Sequence, residues 1–290
     1  MPLPRAAARV HHRREERPVN PLRRKLAIAT WDAPREPNIF GRLTLDAEPA
    51  LAYVEHLRKT TGEKVTLTTV VGKAVAMALR DTPSLNGYIR FDTYVPHERV
   101  SVAFLVAFEE GKNLAKAKID DLDRKSVVEA TIELRQLADK LHKGKDEAFN
   151  KSMGPVRLLP VWAIRRLLKF VQFVSTNLGW SVPALGIEAF PFGACVITNV
   201  GVFGLDEGFV PPTPFAAVPL YVLIGAVKDA PMAVDGQVVV RKQLTLTATI
   251  DHRFMDGAQG ATLAKTVRAV LGNPWLMEGR DGPPDTLAAG

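Results

Sequence analysis

The chain has a single cysteine, Cys195, among its 290 residues. An intramolecular disulfide therefore cannot form, and a metal site of clustered thiolates is excluded. Such sparing cysteine use fits a reducing, cytoplasmic setting. No apolar segment of secretory type follows the basic N-terminus. Low-complexity tracts and internal repeats are also lacking. So is an uninterrupted apolar run long enough to span a membrane: the most apolar stretch, residues 156–180, is broken by Arg157, Pro160 and Arg166. Acidic side chains are scarce at the start. Within residues 1–25, Arg5, Arg9, Arg13, Arg14, Arg17, Arg23, Arg24 and Lys25 are set against Glu15 and Glu16 alone. Residues 1–20 read as a disordered, solvated basic arm. The other reading is contact with nucleic acid, an anionic membrane or an acidic partner. No zinc-finger spacing or aromatic-basic interleaving accompanies the arm, so no nucleic-acid partner is expected.

What is present is enough apolar sequence, 47% of residues, for one large core. Leu43-Thr44-Leu45 reads as a short strand, and Pro49 opens a helix to about Lys59. Residues 66–79 form a helix nearly apolar all round, which belongs in an interior. It is stopped by Asp81-Thr82-Pro83. Residues 100–108 read as an apolar strand closed by a turn at Glu110-Gly111-Lys112. In residues 125–143, Val127, Ala130, Leu134, Leu137 and Leu141 recur at helical spacing. The second half is richer in strands, at 194–198, 218–227, 238–240 and 244–250. Asp235-Gly236 supplies a hairpin turn. A last helix, about 258–271, ends at Gly272-Asn273-Pro274. Helices and strands mix without a βαβ repeat, so the fold class is α+β with a mixed sheet.

One segment invites chemistry. His252 stands at the end of the alternating strand Leu244 to Ile250, before a helix, among Asp251, Arg253 and Asp256. Loops at strand ends display catalytic groups, and histidine is the side chain suited to removing a proton near neutral pH. A surface histidine in a charged turn is the plainer reading of the same residues.

Asp251-His252-Arg253, followed by Asp256-Gly257, resembles the signature of the acyltransferase components of 2-oxoacid dehydrogenase complexes. Its His-x-x-x-Asp-Gly core is shared with chloramphenicol acetyltransferase. Ile197-Thr198-Asn199-Val200-Gly201 resembles the family's second signature. Residues 228–238 and 66–86 are similar to its pre-catalytic hairpin and early buried helix. The likeness covers roughly residues 20–150 and 190–277. It implies a chloramphenicol acetyltransferase-like two-layer sandwich that forms trimers, with each active site between two subunits. It implies that His252 is the general base for a thiol of coenzyme A or a dihydrolipoyl group, and that Thr198 donates to the oxyanion. Thr rather than Ser there is closer to the succinyl-transferring branch. Asp256 would hold the histidine loop, with Asp251, Arg253, Gly257 and Asn199 as structural residues at the site. No metal is implied.

The chain also departs from the family pattern. Only a basic arm of 20 residues precedes the catalytic domain, expected over 21–280, so a lipoyl group is expected from another protein. Arg23-Arg24-Lys25-Leu26-Ala27 fits the family's early basic motif, but Ala29 stands where an Arg that pairs with the motif aspartate is usual. Leu114-Ala115-Lys116-Ala117-Lys118 replaces a Pro-containing stretch, which would alter substrate access. Residues 154–190 read as an apolar helical insertion. It is expected to pack against a neighbouring subunit, cap the acyl channel or lie on a membrane surface. Trp275-Leu276-Met277 stands where the family has an apolar tail that locks trimers into cages, and a polar tail, 281–290, follows it. The competing functional readings are a trimeric scaffold with lost or narrowed activity and a small-molecule acetyltransferase.

Overall fold

The computed structural model describes residues 37–108, 113–142, 161–213 and 216–284. The basic arm, the motif at 23–29, the turn at 110–112 and the end of the polar tail lie outside the described residues. In chain order the elements are β1 (Asn38–Asp46), α1 (Glu48–Thr61), α2 (Leu67–Asp81), β2 (Gly87–Arg90), β3 (Thr93–Pro96), β4 (Val102–Phe108) and β5 (Asn113–Ile119). There follow α3 (Val127–His142), α4 (Val161–Gln172), β6 (Cys195–Asn199), β7 (Leu220–Ile224), β8 (Lys228–Val234), β9 (Gln237–Asp251) and α5 (Gly257–Gly272).

Seven strands form one mixed sheet in the order β1-β9-β7-β6-β4-β5, with β8 paired to the first half of β9. β6 runs parallel to β4 and β7, and the other neighbours are antiparallel. Helices α1, α2, α3 and α5 lie on one face, where Val71, Val75, Leu79, Phe104, Ile197, Leu220, Leu246, Leu263 and Val267 share the main core. Val196, Ala103, Val218 and Tyr221 form a smaller cluster on the opposite face. The mixed α+β sheet is what the residue pattern predicts, and the two-layer arrangement is what the family resemblance implies.

α2 sits deepest. Thr66 caps it by accepting from Thr69 N, and the helix presses so close to β4 that a Cβ on Gly72 would stand 2.4 Å from Phe104 Cζ. Its one buried cation, Lys73, donates to the carbonyls of Leu122 (3.2 Å) and Asp123 (2.7 Å), and burial lowers its pKa. Those bonds replace the hydration that burial removes.

Several elements differ from expectation. Residues 237–251 form a single fifteen-residue strand rather than two. Polar Arg241, Lys242 and Gln243 interrupt the apolar alternation where the strand is exposed or half-buried, yet they remain paired to β8. β2 and β3 form a separate hairpin that turns through Phe91 and Asp92, both at positive φ without a glycine. Residues 114–118 belong to strand β5, on which Lys116 and Lys118 both pair with Glu188. Trp275 is no free tail: it is buried in the chain's own core, edge-on to Tyr53 and His56. The indole is thus already spent on internal packing.

His97 packs against the rings of Tyr88 (5.1 Å) and Phe190 (5.0 Å), which also touch each other. Burial, helped by the nearby Lys118 ammonium, lowers its pKa from 6.5 to about 4. Above pH 6.5 the imidazole is neutral in both folded and unfolded chains and contributes nothing. Between 6.5 and 4 only the unfolded chain takes up the proton, so stability falls as pH drops, by about 3 kcal/mol in full. Urea melts of wild type and His97→Gln across pH 4–7 should converge as pH falls. Parallel curves would show that His97 is not the group responsible.

Candidate active site

His252 is held by what lies on either side of it. β9 ends at Asp251, whose backbone N–H donates to Pro219 O (2.9 Å), while His252 N donates to Pro37 O (2.8 Å). The loop then closes on itself. Asp251 accepts from the Arg253 backbone N–H (2.9 Å) and from its guanidinium through Nε (3.0 Å) and Nη2 (2.6 Å). Both side chains are largely covered, which makes a forked, charge-assisted pair stronger than a surface one. Phe254 and Met255 plug the loop into the core. Asp256, nearly buried, caps α5: its carboxylate accepts from Ala258 N (3.1 Å), and Gln259 Oε1 accepts from Asp256 N (3.0 Å). Gly257 is the first residue of that helix. The half-buried His252 is therefore displayed on a loop fixed by a strand at one end and a capped helix at the other.

Thr198 and Asn199 finish β6. Cys195, Ile197 and Asn199 alternate onto the helical face, and Val196 and Thr198 onto the other. Asn199 Nδ2 donates to Thr68 Oγ1 (2.8 Å), tying the strand's end to the first turn of α2. Thr68 was not singled out from sequence, and no local motif marks it. Gln259 was not singled out either, although the Asp-x-x-Gln spacing from Asp256 is a capping-box signal that could have found it. Burial raises the pKa of the Cys195 thiol, which keeps it protonated and inert. Among the described residues no group of three or more His, Cys, Asp or Glu is placed to hold a metal ion. Nor is any helix long and apolar enough to cross a membrane.

The sheet register sets Thr198 and His252 apart. Thr198 is level with Leu223 and Thr247, whereas Cys195 is level with Leu220 and Ile250. His252 thus lies five residues along from the Thr198 level and two strands across. At ~3.3 Å per residue and ~4.8 Å per strand that is roughly 19 Å. One thioester carbonyl cannot touch both within a single chain.

The model of the 2-oxoacid dehydrogenases acyltransferase (catalytic domain) family matches residues 11–150 and 184–278. The chain belongs to this family. The unmatched residues, 151–183, overlap most of the stretch 154–190 read from sequence as an insertion. Similar curated proteins include the dihydrolipoyllysine-residue succinyltransferase component of the 2-oxoglutarate dehydrogenase complex of Haemophilus influenzae, 28% identical over 267 residues, which are 89% of this chain and 54% of that protein. The mitochondrial counterpart from Saccharomyces cerevisiae is 27% identical over 227 residues, 78% of this chain and 39% of that one. The chain spans about half the length, or less, of these relatives. Among solved structures, the cubic core of the pyruvate dehydrogenase multienzyme complex superposes with a TM-score of 0.62 at 18% identity, covering 96% of this chain and 99% of that one. Chloramphenicol acetyltransferase gives 0.52 at 12%, covering 86% and 94%. The acyltransferase family and chloramphenicol acetyltransferase therefore share this chain's fold.

The capping role of Asp256 can be measured. Asp256→Ala should lower unfolding free energy by about 1–2 kcal/mol, and Asp256→Asn by much less, since Asn caps nearly as well. Equal losses in the two variants would count against the cap as the residue's contribution.

Proposed function

We propose that the chain is a coenzyme A-dependent acyltransferase, moving an acyl group between coenzyme A and a dihydrolipoyl-type thiol, in a site that two copies of the chain complete. The observation that carries this reading is the register. The two chemically apt residues of a family catalytic domain stand about 19 Å apart in one chain, so a second copy has to bring its Thr198 to the first copy's His252. The loop beyond Thr198 is dressed for such a neighbour: Val202, Phe203, Leu205 and Phe209 are all exposed. Head-to-tail contact around a threefold axis would bury this surface and give three equivalent sites.

In that site His252 takes the proton from the attacking thiol. The thiolate adds to the thioester carbonyl carbon and the π electrons move to oxygen. Thr198 Oγ–H donates a hydrogen bond to that oxyanion. Collapse then breaks the bond to the departing sulfur, which recovers the proton from His252. A donor placed where charge develops is typically worth ~3–4 kcal/mol. The braced Asp251–Arg253 pair and the capped helix hold the loop that carries the imidazole before substrate arrives, so little backbone reorganisation is left for the reaction. Assembly of such trimers into a larger cage is in keeping with the cubic core that shares the fold.

With succinyl- or acetyl-CoA and dihydrolipoamide, His252→Ala should lose about 10²–10⁴-fold in kcat and Thr198→Ala about 10²–10³-fold. Co-refolding the two variants separates one-chain from two-chain sites. Every mixed trimer regains one intact site, so random mixing should restore about a quarter of wild-type activity. Absence of complementation, with mixed trimers verified by mass, would refute a shared site. Full activity in His252→Ala would refute the base.

A further inference from the structure

We propose that the outer face of α4 and the turn after it is a docking surface for an anionic lipid bilayer. Among the described side chains of α4, Leu167, Leu168 and Val171 are partly covered, and Val174, Ser175 and Thr176 beyond it are buried. What remains outside is a stripe of Arg166, Lys169, Phe170 and Phe173, the two phenylalanines 54% and 44% exposed. The β2–β3 hairpin extends the stripe. The Phe91 ring lies edge-on to Phe173 at 6.4 Å, and the Arg90 guanidinium stands 5.7 Å over Phe91. Trp180, also exposed, is tied back to Val174 O by its backbone N–H.

Composition decides between occupants. The centre of a protein–protein interface is depleted of charge and ringed by polar residues. Here cations alternate with the aromatic rings on one narrow stripe. That arrangement suits the headgroup layer, where Phe and Trp enter the acyl boundary while Lys and Arg meet lipid phosphates. The sign of charge agrees. Between Glu147 and Glu188 there is no Asp or Glu, but there are five cations: Lys151, Arg157, Arg165, Arg166 and Lys169. Asp92 is the one carboxylate among residues 90–92 of the hairpin tip. The family match omits residues 151–183, so α4 is not part of the surface the family model describes. No residue of this face belongs to the site proposed above, and the two readings stand or fall separately.

Co-sedimentation of the full chain with vesicles tests the inference. The protein should pellet with phosphatidylcholine vesicles containing about a third phosphatidylglycerol and stay in solution with pure phosphatidylcholine, and raising salt should weaken the binding. Phe170→Ser/Phe173→Ser should weaken it about tenfold or more while leaving the thiol acyl-transfer rate unchanged. Lys169→Glu, at an exposed position, should act in the same direction if the double variant folds poorly. No binding to anionic vesicles would overturn the proposal. So would undiminished binding by the patch variants, which would assign the affinity to the basic arm. A fall in oligomer mass caused by those variants would overturn it too, by assigning the face to a second copy.

Discussion

The fifteen residues of β9 must satisfy three pairings at once. Residues 237–243 are held by β8, residues 243–251 by β1, and residues 246–250 also by β7 on the other side. A slip of one residue would turn Leu244, Leu246 and Ile250 out of the main core and bring Thr245, Thr247 and Thr249 into it. Two neighbours that each demand the same register make such a slip costly on both sides. The end of β9 is therefore one of the best-determined points of the fold, and His252 follows it directly. The pairing that builds the sheet also positions the candidate base.

The threonine face explains why the second layer is thin. Thr245, Thr247 and Thr249 are buried although no helix covers them. The chain between β6 and β7 folds over that side: the Thr247 hydroxyl donates to Gly208 O, and Thr213 N donates to Tyr221 Oη. A hydroxyl face under a loop can be covered or opened with little apolar area at stake, unlike the helical face. Thr198 belongs to this side of the sheet. A substrate channel bordered by a loop and a neighbouring copy is easier to build there than through the packed helices.

Much of this was legible in the residues, and the failures have specific causes. α2 announced its burial because apolar residues surround it, and Asp235-Gly236 announced its turn because both residues take positive φ. The β2–β3 hairpin went unread because its turn uses Phe91 and Asp92 in the left-handed region, which sequence rules reserve largely for Gly and Asn. β9 was split because Arg241, Lys242 and Gln243 lack an apolar side; their strand conformation comes from pairing with β8, not from burial. The candidate site was legible as residues but not as geometry. The two signatures named His252 and Thr198 as partners, but a motif carries no register. Only the pairing of β6, β7 and β9 shows that they face different ends of the sheet.

That separation bears on how the fold could tolerate an insertion. Residues between α3 and β6 reach the sheet at Cys195, two strands across from β9 and level with Ile250, so they arrive at the same end of the sheet as the β9–α5 junction. Glu188 anchors the incoming chain by pairing with Lys116 and Lys118 on the edge strand β5, and Phe190 anchors it by packing on Tyr88 and His97. None of these contacts touches the Asp251–Arg253 clamp or the Asp256 cap. Extra sequence before Glu188 can therefore change what the protein touches without moving His252. The β2–β3 hairpin meets the turn after α4 through Phe91 and Phe173, away from the register that positions His252.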